Sequence, residues 1–227
     1  MKKNKTSSTK IIIVTLAILL AVSVTLLVIN LSSKGDVTNL NNQQVPKTDN
    51  NEEINFQEVH YLGNPEASVV MIEYSSITCP FCKRYQITDE TFDNIKKEYV
   101  DTGKVVYIYK HFTRNEVDIL GAIALECAGE QNMFFEYKRK VYENQENLQN
   151  LEFSNREFSK YAQELNLNMD SFNECLTDTK YLSKIESDKT EGMSKGITGT
   201  PGFLINGNVV SGAQPFAVFK AAIDRLL

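Results

Sequence analysis

The chain has 227 residues, of which 42% are apolar, and this is enough for one well-packed domain with an additional segment. The first ten residues contain four lysines and no acid, so the remaining chain carries 20 basic and 29 acidic residues, a net charge of −9. Because phosphate binding needs clustered positive charge, this composition argues against nucleic acid as a partner.

The N-terminal part predicts a membrane anchor. Residues 1–10 form a basic segment that we expect in the cytoplasm, and residues 11–31 form a predicted transmembrane signal-anchor. The apolar run from Ile11 to Ile29, at ~1.5 Å per residue, can cross a hydrocarbon core of ~30 Å. A cleaved signal peptide is the alternative, although its apolar region is usually only ~7–15 residues long. We therefore expect a single-pass protein of the cell membrane whose remaining chain lies in the bacterial periplasm or exterior.

Strand and helix patterns begin after a polar segment. Residues 32–55 lack aromatic side chains and predict a flexible tether. Residues 56–112 then read as strand, strand, helix, strand, which indicates a βαβ unit with a parallel pair. The expected elements are a short strand at Glu58–Leu62, a buried strand at Val69–Tyr74, a helix from Cys79 to about Tyr99, and a strand at Val105–Tyr109.

The pattern turns helical in residues 113–195 and returns to strands in residues 196–227. Within the helical segment, the sequence Ser154-Asn155-Arg156-Glu157 has the form of a capping box that opens a helix. Asn206-Gly207 between two apolar runs predicts a hairpin, and a C-terminal helix follows it. The predicted fold class is therefore α/β with a helical insertion.

Cys79-Pro80-Phe81-Cys82 stands at the junction of a strand and a helix, a pattern typical of a redox-active pair. The unpaired N–H groups and the dipole at a helix start stabilise a thiolate at Cys79. Pro80 fits the first helical turn because its missing N–H has no partner there in any case. Cys82 lies one turn further on, where its sulfur can attack a mixed disulfide formed by Cys79.

Half of a zinc site is the alternative for this motif. The remaining candidate ligands, Cys127, Cys175, His60 and His111, are not spaced as a close pair, so we predict no metal and no cofactor beyond the cysteine pair. A purely structural Cys79–Cys82 bridge would close almost no loop and stabilise little.

Several segments, in order along the chain, resemble the DsbA family of thiol–disulfide oxidoreductases, in its membrane-anchored branch. They are Leu62-Gly63-Asn64-Pro65, Cys79-Pro80-Phe81-Cys82, Glu126-Cys127-Ala128, Gly199-Thr200-Pro201 and Asn206-Gly207. The resemblance covers residues 61–227. It implies a thioredoxin fold with an inserted helical domain, here preceded by one N-terminal transmembrane helix.

The resemblance also implies a function. A member of this family introduces disulfide bonds into exported proteins with free thiols and is reoxidised by a membrane partner of the DsbB or VKOR type. Two alternatives stay open: a thiol reductase or isomerase of exported proteins, and a non-catalytic, peptide-binding, chaperone-like module.

The resemblance assigns the site residues. By this resemblance Cys79 is the exposed nucleophile, Cys82 is the buried resolving thiol, and Pro201 is a cis proline that faces them. For Pro201, an ordinary turn or edge-strand proline is the alternative. The residues expected to contact substrate are Thr200, Pro80 and Phe81. Glu73 corresponds to a buried acid that relays a proton to or from Cys82, although an acid facing solvent at a strand end is equally compatible with the sequence.

This chain departs from the DsbA-type enzyme at one position of the motif. That enzyme has a histidine where this chain has Phe81, and phenylalanine cannot stabilise a thiolate, which favours a milder oxidant. His111 could compensate from a neighbouring strand, but a surface or core histidine is its commoner role.

Cys127 and Cys175 lie in the helical insertion, where related proteins carry a second disulfide. Outside the cytoplasm a remaining cysteine pair is more often bridged than free. We expect a structural bridge without a catalytic role.

Overall fold

The computed structural model describes residues 54–148 and 151–227, and the fold is built on a five-stranded mixed sheet. The strands are β1 (His60–Leu62), β2 (Val69–Ser75), β3 (Val105–His111), β4 (Gly202–Ile205) and β5 (Asn208–Ser211). Their order in the sheet is β1-β3-β2-β4-β5. β2 and β3 are parallel, as the strand–helix–strand spacing predicts, and the other pairings are antiparallel. The βαβ unit is therefore confirmed.

The central strand β2 is buried along its whole length. Val69 and Met71 belong to the larger hydrophobic core on one face of the sheet, whereas Val70 and Ile72 belong to a smaller core on the other face. A strand covered on both faces has an almost continuous apolar sequence, which explains the run in this segment. Glu73 is the one acid inside it.

Helices connect the strands. They are α1 (Pro80–Lys83) and α2 (Thr91–Ile95), each continued by a π-helical turn (Arg84–Thr88 and Lys96–Val100); then, between β3 and β4, α3 (Glu116–Gly129), α4 (Phe134–Glu143), a 3₁₀ turn (Gln145–Asn147), α5 (Leu151–Glu164), α6 (Met169–Thr177) and α7 (Leu182–Ser194); and finally α8 (Phe216–Asp224).

The prediction of one helix from Cys79 to about Tyr99 is wrong. The N–H of Asp89 bonds to the Arg84 carbonyl oxygen at 2.8 Å, and Glu90 then has a φ of 52°. A left-handed residue ends a right-handed helix, so α2 starts anew at Thr91. The apolar residues of α2 keep helical spacing among themselves, and the sequence pattern therefore hides the break.

The predicted capping box at Ser154 is also wrong, because α5 begins earlier, at Leu151. Ser154 is buried together with Phe158 and Tyr161, at spacings of four and three residues, and so belongs to the inward face of the helix. A small side chain on this face looks like a cap in the sequence.

The predicted hairpin is confirmed. Asn206 and Gly207 have φ angles of 43° and 80° between the paired strands β4 and β5. Positive φ at both central residues is the geometry of a type I′ turn, which is why this dipeptide is such a strong signal.

Cys127 on α3 and Cys175 on α6 form a disulfide with an S–S distance of 2.03 Å, as the resemblance implies. The bridge ties together two helices of the segment between β3 and β4. Cys79 and Cys82 are free thiols in this structure.

The predicted cytoplasmic segment (residues 1–10), the predicted transmembrane signal-anchor (residues 11–31) and nearly all of the predicted tether (residues 32–55) lie outside the described residues. Within residues 54–148 and 151–227, no helix combines the length and the apolar character that a membrane span requires.

Candidate active site

Cys79 immediately precedes the first turn of α1, after the short loop that leaves β2. Its backbone is extended, and its carbonyl oxygen accepts the N–H groups of Cys82 and Lys83, both at 3.1 Å. Pro80 occupies the first helical position, where no backbone donor is needed. The motif therefore opens a helix as its sequence predicts.

The prediction that Cys79 is exposed is wrong, because only 2% of its surface is accessible. Its thiol donates a hydrogen bond to the Thr200 carbonyl oxygen at 3.2 Å, so the loop at Thr200 lies against the sulfur. These two residues are 121 positions apart in the chain, and spacing within the motif gives no sign of this cover.

The two thiols differ in acidity. A hydrogen bond from the Cys82 thiol, helped by hydrogen bonds from the backbone N–H groups of Phe81 and Cys82, lowers the pKa of Cys79 to about 5 against the effect of burial. Burial raises the pKa of the Cys82 thiol well above its ordinary value, and the neighbouring Cys79 raises it further. Cys79 therefore ionises at a lower pH than Cys82, which is the order that a nucleophile and a resolving thiol require.

The peptide bond between Thr200 and Pro201 is cis, as the resemblance implies. The Pro201 carbonyl oxygen accepts the N–H of Gly212 at 2.9 Å, which fixes the loop to the chain just after β5. A cleft of about 150 Å³ follows this loop and is lined by Ile197, Thr198, Gly199, Thr200, Pro201 and Ser211 among others.

Glu73 on β2 is completely buried, so the solvent-facing alternative for this acid is wrong. Its Oε2 atom accepts hydrogen bonds from the Tyr107 hydroxyl at 2.6 Å and from Gln86 Nε2 at 2.7 Å. Its Oε1 atom has no partner among the described residues. Burial raises the pKa of this carboxyl group despite these donors. Glu73 also lies close enough to raise the pKa of the Cys82 thiol.

Asp118, near the start of α3, organises the loop before Cys79, and sequence reasoning missed it. Its Oδ1 atom accepts hydrogen bonds from the Ser76 hydroxyl at 2.7 Å and from the Thr78 hydroxyl and N–H at 2.8 and 3.0 Å. Its Oδ2 atom accepts the N–H of Arg114 at 2.9 Å. A buried carboxylate with this many donors holds the loop in one conformation.

Helix α4 and the turn after it bring Lys138, Tyr142 and Gln145 to the inner side of the redox pair. Tyr142 is fully buried and packs in one cluster with Cys79 and Cys82. Gln145 Nε2 donates to the Cys79 carbonyl oxygen at 3.0 Å. Lys138 and Tyr142 are four residues apart and therefore share one face of α4, which is the signal in the sequence; Gln145 belongs to the 3₁₀ turn that follows the helix.

The two histidines do not contact the redox pair. His111 and His60 bind the two oxygens of the buried Glu126 carboxylate through Nε2, at 2.8 and 3.0 Å, so His111 is a core histidine. Phe81 is 55% exposed, with its ring centroid 5.1 Å from the Arg84 guanidinium carbon. In the part of the chain that the structure describes, His, Cys, Asp and Glu side chains form no group of three that could hold a metal ion.

A thioredoxin family model matches residues 56–225. A Rickettsia conorii protein, whose name assigns it provisionally to the protein-disulfide oxidoreductases, is 29% identical over 168 residues, which are 73% of this chain and 59% of that protein. The chain spans about three fifths of the length of such curated relatives.

Solved structures agree with this match. The crystal structure of alpha-DsbA1 from Wolbachia pipientis is 32% identical, with a TM-score of 0.66 over 76% of this chain and 92% of that one. Oxidised BdbD from Bacillus subtilis, at 20% identity, shares the fold with a TM-score of 0.69 over 80% of this chain and 97% of that one. The chain therefore belongs to the thioredoxin superfamily and, within it, to the DsbA family of thiol–disulfide oxidoreductases.

Proposed function

We propose that this protein introduces disulfide bonds into exported proteins, outside the cytoplasm, through the Cys79–Cys82 pair. The observation that carries the proposal is the opposite acidity of the two thiols: the pKa of Cys79 is lowered to about 5, whereas that of Cys82 is raised. A stabilised thiolate favours the reduced form of the pair, so the disulfide form readily oxidises other thiols.

The reaction starts from the Cys79–Cys82 disulfide. A substrate thiolate attacks the Cys79 sulfur, a bond forms between these two sulfurs, and the Cys79–Cys82 bond breaks. Cys82 leaves as a thiolate and takes up a proton, for which the buried Glu73 carboxyl group is the proposed donor. A second substrate thiolate then attacks the substrate sulfur, forms the substrate disulfide and releases Cys79 as a thiolate. The substrate loses two electrons and the cysteine pair gains them.

The cleft along the loop at Thr200 and Pro201 supports binding of an extended substrate segment. The loop borders the Cys79 sulfur and bounds a cleft of about 150 Å³. On the side of the motif, the exposed ring of Phe81 offers an apolar contact, with Pro80 beside it. We propose that Thr200 and Pro201 bind the substrate backbone, while Phe81 contacts an apolar side chain near the reacting cysteine.

The location is proposed from the sequence. Residues 11–31 have the length and flanking charge of a signal-anchor that places the catalytic domain on the extracytoplasmic side of a cell membrane. The Cys127–Cys175 bridge supports an oxidising compartment, since such bonds rarely persist in the cytoplasm. Repeated turnover requires reoxidation of the reduced pair, and we propose a membrane reoxidase of the DsbB or VKOR type as the partner.

A thiol reductase or isomerase is the second candidate. Phe81 favours it, because the side chain carries no charge that would stabilise the reduced pair. A catalyst of oxidation transfers its disulfide to a reduced, unfolded substrate faster than it reduces the native one, whereas a reductase shows the reverse preference.

The test is oxidative refolding of a reduced, disulfide-containing protein by the oxidised full-length chain. We expect the wild type to accelerate disulfide formation, and Cys79→Ser to abolish this activity. Native-state disulfide reduction without oxidation would support the reductase instead. Two results together would overturn the proposal and identify a chaperone-like module. The wild type would exchange no disulfide, and the Cys79→Ser variant would still suppress aggregation.

A further inference from the structure

Lys138 of α4 is an enclosed cation, with 1% of its surface accessible. Its ammonium nitrogen donates a hydrogen bond to the Tyr107 hydroxyl at 3.1 Å. It also lies 4.7–5.2 Å from four aromatic ring centroids, those of Phe92, Tyr107, Tyr109 and Phe135. Burial lowers the pKa of Lys138 to about 8, while the charges of Glu73 and Cys82 oppose this effect. A buried ammonium group is costly unless a negative group compensates it, so its presence needs an explanation.

The Tyr107 hydroxyl links this ammonium to Glu73. It accepts from Lys138 and donates to Glu73 Oε2 at 2.6 Å, while Gln86 fixes the same oxygen at 2.7 Å. Oε1 of Glu73 is buried and has no partner in the described part of the chain. One carboxylate oxygen is therefore held in place and the other is free to accept a proton.

The titratable side chains that face Glu73 come from three elements. They are Cys82 and Tyr85 from α1 and its continuation, Tyr107 and Tyr109 from β3, and Lys138 and Tyr142 from α4. Burial raises the pKa of all four tyrosines well above the ordinary value, so they remain neutral near physiological pH. The groups that exchange protons there are Cys82, Glu73 and Lys138.

We propose that Lys138 is a positioning residue that favours the ionised form of Glu73, so that this carboxylate takes the proton which Cys82 must lose to close the disulfide. In the closing step the Cys82 thiol gives its proton to Glu73, and the Cys82 sulfur attacks the Cys79 sulfur of a mixed disulfide. The Cys79–Cys82 bond forms, and the bond from Cys79 to the partner sulfur breaks. The partner leaves as a thiolate with the two electrons that the cysteine pair loses.

This inference rests on the proposed thiol–disulfide exchange, and it gives the helical segment between β3 and β4 an indirect part in the reaction, through Tyr107 and Glu73. The hydrogen bonds that lead from Lys138 toward the redox pair run through Tyr107 to Glu73, and its effect should therefore depend mainly on Glu73. The dependence separates an electrostatic role from a purely structural one, because two residues that act together give non-additive changes in a double-mutant cycle.

The experiment follows closure of the mixed disulfide in the full-length chain. The reduced protein reacts with oxidised glutathione between about pH 5 and 9, is quenched with acid and alkylated, and the mixed and internal disulfides are counted by mass. We expect the closure rate to increase with pH, and Lys138→Met to move this increase about one pH unit higher. On the acid side of the profile, closure in the variant is then about tenfold slower than in the wild type. In a Glu73→Gln background, Lys138→Met should change the rate less than about twofold.

Lys140→Met is the matched control, since Lys140 lies on the same helix and pairs with Glu164 at a partly exposed position; it should keep the wild-type profile. If Lys138→Met does not fold, Tyr107→Phe removes the linking hydroxyl and should shift the profile in the same direction. Either of two results overturns the inference. One is a folded Lys138→Met variant that slows closure by the same factor at every pH, and the other is a Lys138→Met effect of the same size in the wild-type and Glu73→Gln backgrounds. A wild type without any exchange refutes the proposed function instead.

Discussion

Removal of the second disulfide, by Cys127→Ala together with Cys175→Ala, should lower the free energy of unfolding by about 4 kcal/mol. The bridged residues are separated by 48 positions. For a loop of this length, the chain-entropy account gives a loss of about 14 cal/mol/K in the unfolded chain, which is about 4 kcal/mol at 25 °C. Without the bridge the unfolded chain regains this entropy, and folding becomes less favourable by the same amount.

Urea unfolding followed by far-ultraviolet circular dichroism measures this change, since the chain has no tryptophan for a fluorescence readout. The wild type and the double variant are compared with the Cys79–Cys82 pair in the same redox state. The dependence of the unfolding free energy on urea should become steeper in the variant, because an uncrosslinked unfolded chain exposes more surface.

The double variant should retain disulfide exchange, because neither of its mutated residues belongs to the cluster that packs around Cys79 and Cys82. Two results would refute the reasoning. One is a loss of stability below about 1 kcal/mol, which would mean that the bridge does little to restrict the unfolded chain. The other is a folded variant that no longer exchanges disulfides, which would give this bridge a redox role.

Three further predictions concern the site. The thiolate absorbance of the reduced chain should appear with a midpoint near the Cys79 pKa of about 5, and a midpoint near the ordinary thiol value of about 8.5 would contradict the assignment. The lowered pKa also stabilises the reduced form, and this stabilisation should disappear as the pH falls through about 5. The stability of Glu73→Gln against urea, relative to the wild type, should be higher at about pH 8 than at about pH 4, because burial raises the pKa of Glu73 and disfavours only its ionised form. An equal difference from the wild type at both pH values would disprove this. Asp118→Ala should lower the free energy of unfolding by about 3 kcal/mol and slow disulfide exchange, because the buried donors of Ser76 and Thr78 lose their acceptor. A loss below about 1 kcal/mol would show that the loop before Cys79 holds its conformation without the carboxylate.

The sequence predicts best where the physics is local. The cysteine motif at the start of α1 and the Asn206-Gly207 hairpin each depend on a few adjacent residues, whose backbone preferences decide the structure. The break at Glu90 escapes prediction because the apolar spacing on both sides of it is helical, and a positive φ at a glutamate has no sequence signature.

The rest of the site depends on contacts between distant segments. Thr200 covers Cys79 across 121 positions, and Lys138 reaches the Tyr107 hydroxyl across 31. No periodicity within one element shows which polar side chain will meet another element. A lone acid such as Glu73 in a continuous apolar strand is the exception, since its neighbours predict burial, yet the partners of the carboxylate emerge only from the fold.

The reduction potential of the Cys79–Cys82 pair tests the central claim most directly. The full-length chain is equilibrated in glutathione buffers, trapped by alkylation, and the reduced fraction is read from the mass shift of the peptide that carries the pair. The lowered pKa of Cys79 together with Phe81 predicts an oxidant milder than DsbA, with a potential below about −120 mV but well above about −270 mV. A value at or below about −270 mV, the range of thioredoxin, would contradict the oxidase and favour a reductase.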